Sequence, residues 1–224
     1  MVCRFIPGVP LDRERLLAQD ASTRQAILEQ LGGFLCELHS VPVGASGATY
    51  HLSRRSPGMK EDYEELYQTL ERELFPAMMA WARDWVRGLF RPLLEGKLDL
   101  SYAPATIHGD LMPYHLCYDP VAQRLSGVID FGNAGPGDPA LDLGSIIMGF
   151  GETLVWQMQT VYSGISELLD RARFHAASNT SFIAATTRSW SATLIAGKSG
   201  RLTMWLEMSS ACGNWPSRKP KVSR

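Results

Sequence analysis

The stretch Ile107-His-Gly-Asp-Leu-Met-Pro-Tyr-His-Leu-Cys-Tyr-Asp119 decides the fold, together with Gly127-Val-Ile-Asp-Phe-Gly132 and Gly137-Asp-Pro-Ala-Leu-Asp-Leu143 downstream. Ala105-Thr-Ile-His108 reads as a short buried strand followed by a polar loop. Leu116-Cys-Tyr118 and Gly127-Val-Ile129 are apolar runs separated by Asp119-Pro120 and a polar turn, the pattern of a β-hairpin. Asp110 follows a strand and a glycine, so its carboxylate projects from a loop at a sheet edge. His115 opens the first hairpin strand and Asp130 closes the second. Antiparallel pairing sets such ends side by side, with Cβ atoms about 5 Å apart. Asp130 and His115 can then share one divalent cation while Asp110 faces an incoming hydroxyl. Phosphoryl transfer needs that division: a cation neutralises phosphate charge, and a separate carboxylate orients the nucleophile and takes its proton.

Outward from this centre the chain is mainly helical. Upstream, Ile27, Leu28, Leu31, Phe34, Leu35 and Leu38 recur at helical spacing, which predicts an amphipathic helix over 23–39. Ser22 with Gln25 forms a capping-box pattern at its start, and His39 is expected to cap or pack at its end. Residues 40–58 read as loop. A long helical region from Lys60 to about Glu95 should divide near Pro76, because proline removes a backbone donor and crowds the preceding turn. Downstream, helix is expected from Pro139 to about Ala177 with breaks at Gly149 and Gly151, Asp138 capping its start. The opening Met1-Val-Cys-Arg-Phe-Ile-Pro-Gly8 reads as a short strand ended by Pro7-Gly8.

The three ordered motifs resemble the aminoglycoside phosphotransferase family, small-molecule and antibiotic kinases related in fold to protein kinases. The family pattern is His-Gly-Asp-Leu, a later Asn, then Ile-Asp-Phe/Trp, then Gly-Asp-Pro-Ala-x-Asp-Leu. By this resemblance Asp110 is the catalytic base and Asp130 the principal magnesium ligand. Asp142 steadies the catalytic loop through backbone hydrogen bonds, and His108 is a structural histidine of that loop. His115 stands where the family has Asn. A neutral imidazole also coordinates a metal, and the macrolide enzymes of this superfamily carry histidine there. Phe5-Ile-Pro-Gly-Val-Pro-Leu11 looks like the hinge between kinase lobes. The implied fold is α+β, a protein-kinase-like C-terminal lobe over residues 1–177 with a hinge remnant at 1–11 and a small hairpin at its active edge. No Gly-rich phosphate loop or lysine-bearing strand precedes the hinge, so an N-terminal lobe is not expected in this chain. The implied reaction uses Mg²⁺ and ATP or GTP, and moves the γ-phosphate to a hydroxyl of a small molecule, an antibiotic among the candidates.

Composition narrows the alternatives. The 224 residues carry a formal charge of −1, which gives no sign of a nucleic-acid partner. The apolar stretches are too short for a membrane span. Cys3, Cys36, Cys117 and Cys212 show no metal spacing, and no secretory-signal pattern opens the chain, so a cytoplasmic protein with reduced thiols is expected. Residues 178–224 hold seven Lys/Arg against one acid, with nine Ser and five Thr. They are expected to be an atypical basic tail. An uncovered lobe face near 1–11 and 103–107 would favour a homodimer. Two other readings stay open: a catalytically inactive kinase-like remnant acting at most as a binding module, and a metal hydrolase using His108, Asp110, His115 and Asp130.

Overall fold

The computed structural model describes residues 5–43 and 58–179. The sequence expectations for residues 1–4, for most of the 40–58 loop and for the basic tail beyond Asn179 lie outside these. The elements run β1 (Val9–Pro10), α1 (Arg13–Leu17), α2 (Ala21–Ser40), α3 (Lys60–Thr69), α4 (Ala80–Leu94), β2 (Ala105–Ile107), β3 (Leu116–Asp119), β4 (Arg124–Val128), β5 (Gly135–Gly137), α5 (Ala140–Phe150), α6 (Glu152–Gln157) and α7 (Ile165–Ser178). This is the α+β architecture expected: a helical body with two small antiparallel sheets, β1-β3-β4 and β2-β5.

Two apolar cores explain the helical layout. The larger is built from Ile27, Leu28, Leu31 and Leu35 of α2, Leu143, Ile146, Ile147 and Phe150 of α5, and Leu169 and Ala172 of α7, closed by Leu116 and Tyr118 of the hairpin. Each leucine so buried contributes about 1.5–3 kcal/mol relative to exposure. The smaller core gathers Leu70, Phe75, Val86, Leu89, Phe90 and Leu93 from the α3–α4 region around Phe174 of α7. The Phe174 ring meets Tyr63 at 4.8 Å and Phe90 at 5.6 Å, while Leu169 and Ala172 of the same helix enter the larger core, so α7 joins the two.

Local chemistry moves several boundaries. Asp20, not Ser22, caps α2, accepting the amides of Ser22 and Thr23 at 2.9 Å each. A carboxylate is the stronger acceptor, and the Ser22 hydroxyl, then the Thr23 groups, hold its pKa well below the usual carboxylate range. Gln25 bonds Glu29 instead of closing a capping box. The helical region after Lys60 does divide near Pro76: a π turn over Leu70–Leu74 and a 3₁₀ turn over Phe75–Ala77 separate α3 from α4. Among the described residues the first strand follows Pro7-Gly8, pairing Val9 with Tyr118 and Pro10 with Cys117. Gly149 does not break α5, which runs on to Phe150. Its missing side chain instead admits the Pro113 ring, which a Cβ would meet at 2.3 Å. Within 103–107, β5 pairs with β2 and Thr106 and Ile107 are buried, whereas Ala103 and Pro104 stay exposed.

Candidate active site

The loop between β2 and β3 is held from below. Asp142, fully buried near the start of α5, accepts the amide of His108 on Oδ2 at 2.8 Å and the amide of Gly109 on Oδ1 at 2.9 Å. Between those bonds the chain turns through Gly109 at φ 78°, a left-handed conformation that glycine adopts without strain. A Cβ there would stand 2.7 Å from the Asn133 carbonyl oxygen. His108 is completely buried. Its Nε2 donates to the Ile129 carbonyl at 3.0 Å, and its Nδ1 accepts the Asp110 amide at 3.3 Å. One imidazole therefore ties the loop to the end of the hairpin.

The hairpin supplies the other half. Leu116 pairs with Val128, and the Ile129 amide donates to the His115 carbonyl at 3.0 Å. His115 and Asp130 thus lie just outside the paired strands, not at their terminal positions. Asp130 adopts φ 65°, ψ 60°, unusual for a residue with a side chain. His115 Nδ1 donates to the Asp110 carbonyl at 2.7 Å. That bond places a proton on Nδ1, and Nε2 faces Asp130 Oδ2 at 3.4 Å. Asp110 Oδ2 stands 3.9 Å from His115 Nδ1. The three side chains are graded in exposure: 10% for His115, 38% for Asp110 and 63% for Asp130. An imidazole flanked by two carboxylates open to solvent is the result.

Five residues singled out from the sequence therefore occupy one region, with Asp110, His115 and Asp130 at its surface and His108 and Asp142 beneath. Tyr114, 55% exposed, packs its ring against His115 at 4.4 Å. Burial, then the charges of Asp110 and Asp130, raise its phenol pKa, so it stays neutral beside them. Among the described residues, no group of three or more His, Cys, Asp and Glu side chains is arranged to hold a metal alone. A cation here would need further ligands from a substrate.

Sequence reasoning missed what holds Asp142. His39 Nε2 meets Asp142 Oδ2 at 3.1 Å, and Tyr162 meets His39 Nδ1 at 2.8 Å. The signal was present in His39 at the end of an amphipathic helix, but its partner is remote in sequence. Asp138 does cap the start of α5, accepting the Ala140 amide at 3.0 Å.

Residues 1–180 match the model of the phosphotransferase enzyme family. The chain belongs to the phosphotransferase enzyme family. A curated relative, viomycin phosphotransferase of Streptomyces vinaceus, is 28% identical over 158 residues, 69% of this chain and 52% of its own. The chain thus spans about half the length of the curated relative it matches. Among solved structures, aminoglycoside 2'-phosphotransferase-IIIa in its GDP complex superposes with a TM-score of 0.71 at 21% identity, over 93% of this chain and 68% of that one. A macrolide 2'-phosphotransferase of type I superposes at 0.54, with 21% identity over 83% of this chain and 58% of its own. The fold is therefore that of the aminoglycoside and macrolide phosphotransferases. No helix among the described residues is long and apolar enough to cross a membrane.

Proposed function

We propose that this chain carries the phosphoryl-transfer centre of a small-molecule kinase, with ATP or GTP as donor and an alcohol of an antibiotic-like compound as acceptor. The observation that carries the reading is the convergence of Asp110, His115 and Asp130, with His115 Nε2 turned toward Asp130 at 3.4 Å. Asp110 is the catalytic base. It accepts the acceptor's hydroxyl proton as that oxygen bonds to the γ-phosphorus and the bridge to the β-phosphate breaks, releasing a nucleoside diphosphate.

The donor set fits a magnesium ion shared with phosphate. One carboxylate and one imidazole, with donor atoms 3.4 Å apart, are close to the roughly 3 Å between neighbouring corners of an octahedron with ~2.1 Å bonds. When bound, magnesium would neutralise charge on the phosphates. Asp130 and His115 would hold it, while His108 and Asp142 keep the Asp110 backbone in place. The domain reading, a kinase-like lobe over 1–177 working in the cytoplasm, belongs to the same proposal. Viomycin, named in the curated relative, is a reasonable first acceptor to try, with aminoglycosides and macrolides beside it.

The test is product mass. Protein with Mg²⁺ and either nucleotide, offered that panel, is expected to add one phosphoryl group to at least one compound, and Asp110→Asn to lower the rate about 10²–10⁴-fold. Equal rates in the Asp110→Asn variant and the parent would overturn the assignment. Transfer to none of the panel would count against the reaction itself.

A further inference from the structure

A second carboxylate, Asp138, is buried completely one helical turn before Asp142. Arg171 donates to it through Nε at 2.9 Å and Nη2 at 3.3 Å, and His175 Nε2 meets its Oδ2 at 3.0 Å. The other nitrogen of His175 faces the Tyr63 hydroxyl at 2.6 Å. Burial holds the Tyr63 phenol above its ordinary range, outweighing a hydrogen bond with Ser178, and the Asp138 charge adds to the effect. The Asp138 carboxylate only accepts, so His175 presents N–H to it from Nε2 and pairs with the Tyr63 hydroxyl through Nδ1. The same order of groups, Tyr162 to His39 to Asp142, recurs one turn along α5.

The site of this cluster matters. Gly137, the residue before Asp138, pairs with Ala105 at the start of β2, the strand that leads into the catalytic loop. The Asp138 carbonyl accepts the Leu141 amide at 2.9 Å, so Asp138 sets the first turn of α5 with both backbone and side chain. Gly144 lets α7 close onto α5: a Cβ there would meet the Ala172 carbonyl oxygen at 3.0 Å and His175 Cβ at 3.1 Å. Packing alone does not require ions here. Buried ion pairs are commonly no more stable than apolar side chains of similar size, whereas fully satisfied networks fix one geometry.

We propose that Tyr63, His175 and Arg171 are positioning residues for the catalytic loop, acting through Asp138 and the first turn of α5 on Asp142 and thence on His108 and Gly109. The chain of contacts starts on α3, so it ties the α3–α4 body to the loop that carries Asp110. Its effect on turnover rests on the proposed reaction. Its effect on the loop does not.

Hydrogen exchange at the His108 and Gly109 amides, measured below the unfolding transition, reads the loop directly. His175→Leu is expected to speed exchange at those two amides about tenfold, with the amides of mid-α2 unchanged. His175→Gln, which keeps a donor for Asp138, restores protection. Tyr63→Phe keeps the ring against Phe174 and gives an intermediate effect, which preserves the test if His175→Leu fails to fold. Where the parent transfers phosphate, kcat falls by a similar factor and the nucleotide KM does not move. Unchanged exchange at His108 and Gly109 in Tyr63→Phe and His175→Leu, or acceleration spread evenly through the protein, would overturn the proposal. A parent without phosphotransferase activity would overturn the proposed reaction and leave the exchange result to decide the positioning role.

Discussion

His39 and Asp142, 103 positions apart, meet at 3.1 Å beneath the loop that carries Asp110. The contact joins the end of α2 to the start of α5, and Tyr162 completes it from the segment before α7. Asp142 also holds two loop amides, so its orientation decides where the loop lies. His39→Leu leaves a buried carboxylate oxygen and the Tyr162 hydroxyl without this partner. We expect a loss of about 1–3 kcal/mol in a denaturant titration, and a smaller loss of about 0.5–1.5 kcal/mol for Tyr162→Phe. Losses in the double variant that simply add would contradict a shared network.

His115 Nε2 is an imidazole nitrogen beside a carboxylate, a donor pair that suits manganese better than magnesium alone would require. His115→Asn offers an amide oxygen instead. The ratio of Mn²⁺-nucleotide to Mg²⁺-nucleotide affinity, read by calorimetry, is expected to fall several-fold in that variant. An unchanged ratio would place His115 outside the coordination sphere.

Asp138 gives the fold an acid-sensitive component. Burial alone would raise its pKa, but hydrogen bonds from His175, Arg171 and the Ala140 amide outweigh burial and lower it. A carboxyl with a depressed folded-state pKa stabilises fully above its unfolded value, and that contribution disappears as pH falls through the folded value. Asp138→Asn leaves Arg171, only 17% exposed, without its counter-ion. We expect a cost of about 3 kcal/mol or more at neutral pH. Urea midpoints should show the gap to the parent constant down to about pH 5 and shrinking below about pH 4. A gap that widens on acidification would reverse the assigned direction.

Much of the site was legible in the sequence because it is local. Asp110 and His115 lie on one loop, and a hairpin with a short turn brings Asp130 back to them. Asp119 builds that turn by accepting the amides of Val121 and Ala122 at 2.9 and 3.1 Å. What could not be read is remote. His39, backed by Tyr162, meets Asp142 and His175, backed by Tyr63, meets Asp138 only because α2 and α7 pack on α5 and α3 packs on α7, and helical spacing says which residues face inward without saying what they face. Gly149 shows the same limit: glycine near a helix end reads as a stop, yet its role depends on Pro113, which arrives from the loop that carries Asp110.

Calorimetric titration with a non-hydrolysable nucleoside triphosphate and Mg²⁺ tests most directly whether Asp110, His115 and Asp130 form one phosphoryl-transfer centre. Both purine nucleotides should be tried, with the Asp110→Asn and Asp130→Asn variants beside the parent. Binding is expected in the parent, nearly unchanged affinity in Asp110→Asn, and a loss of about tenfold or more in Asp130→Asn that disappears when Mg²⁺ is omitted. Equal affinity in all three proteins, with and without Mg²⁺, would contradict it.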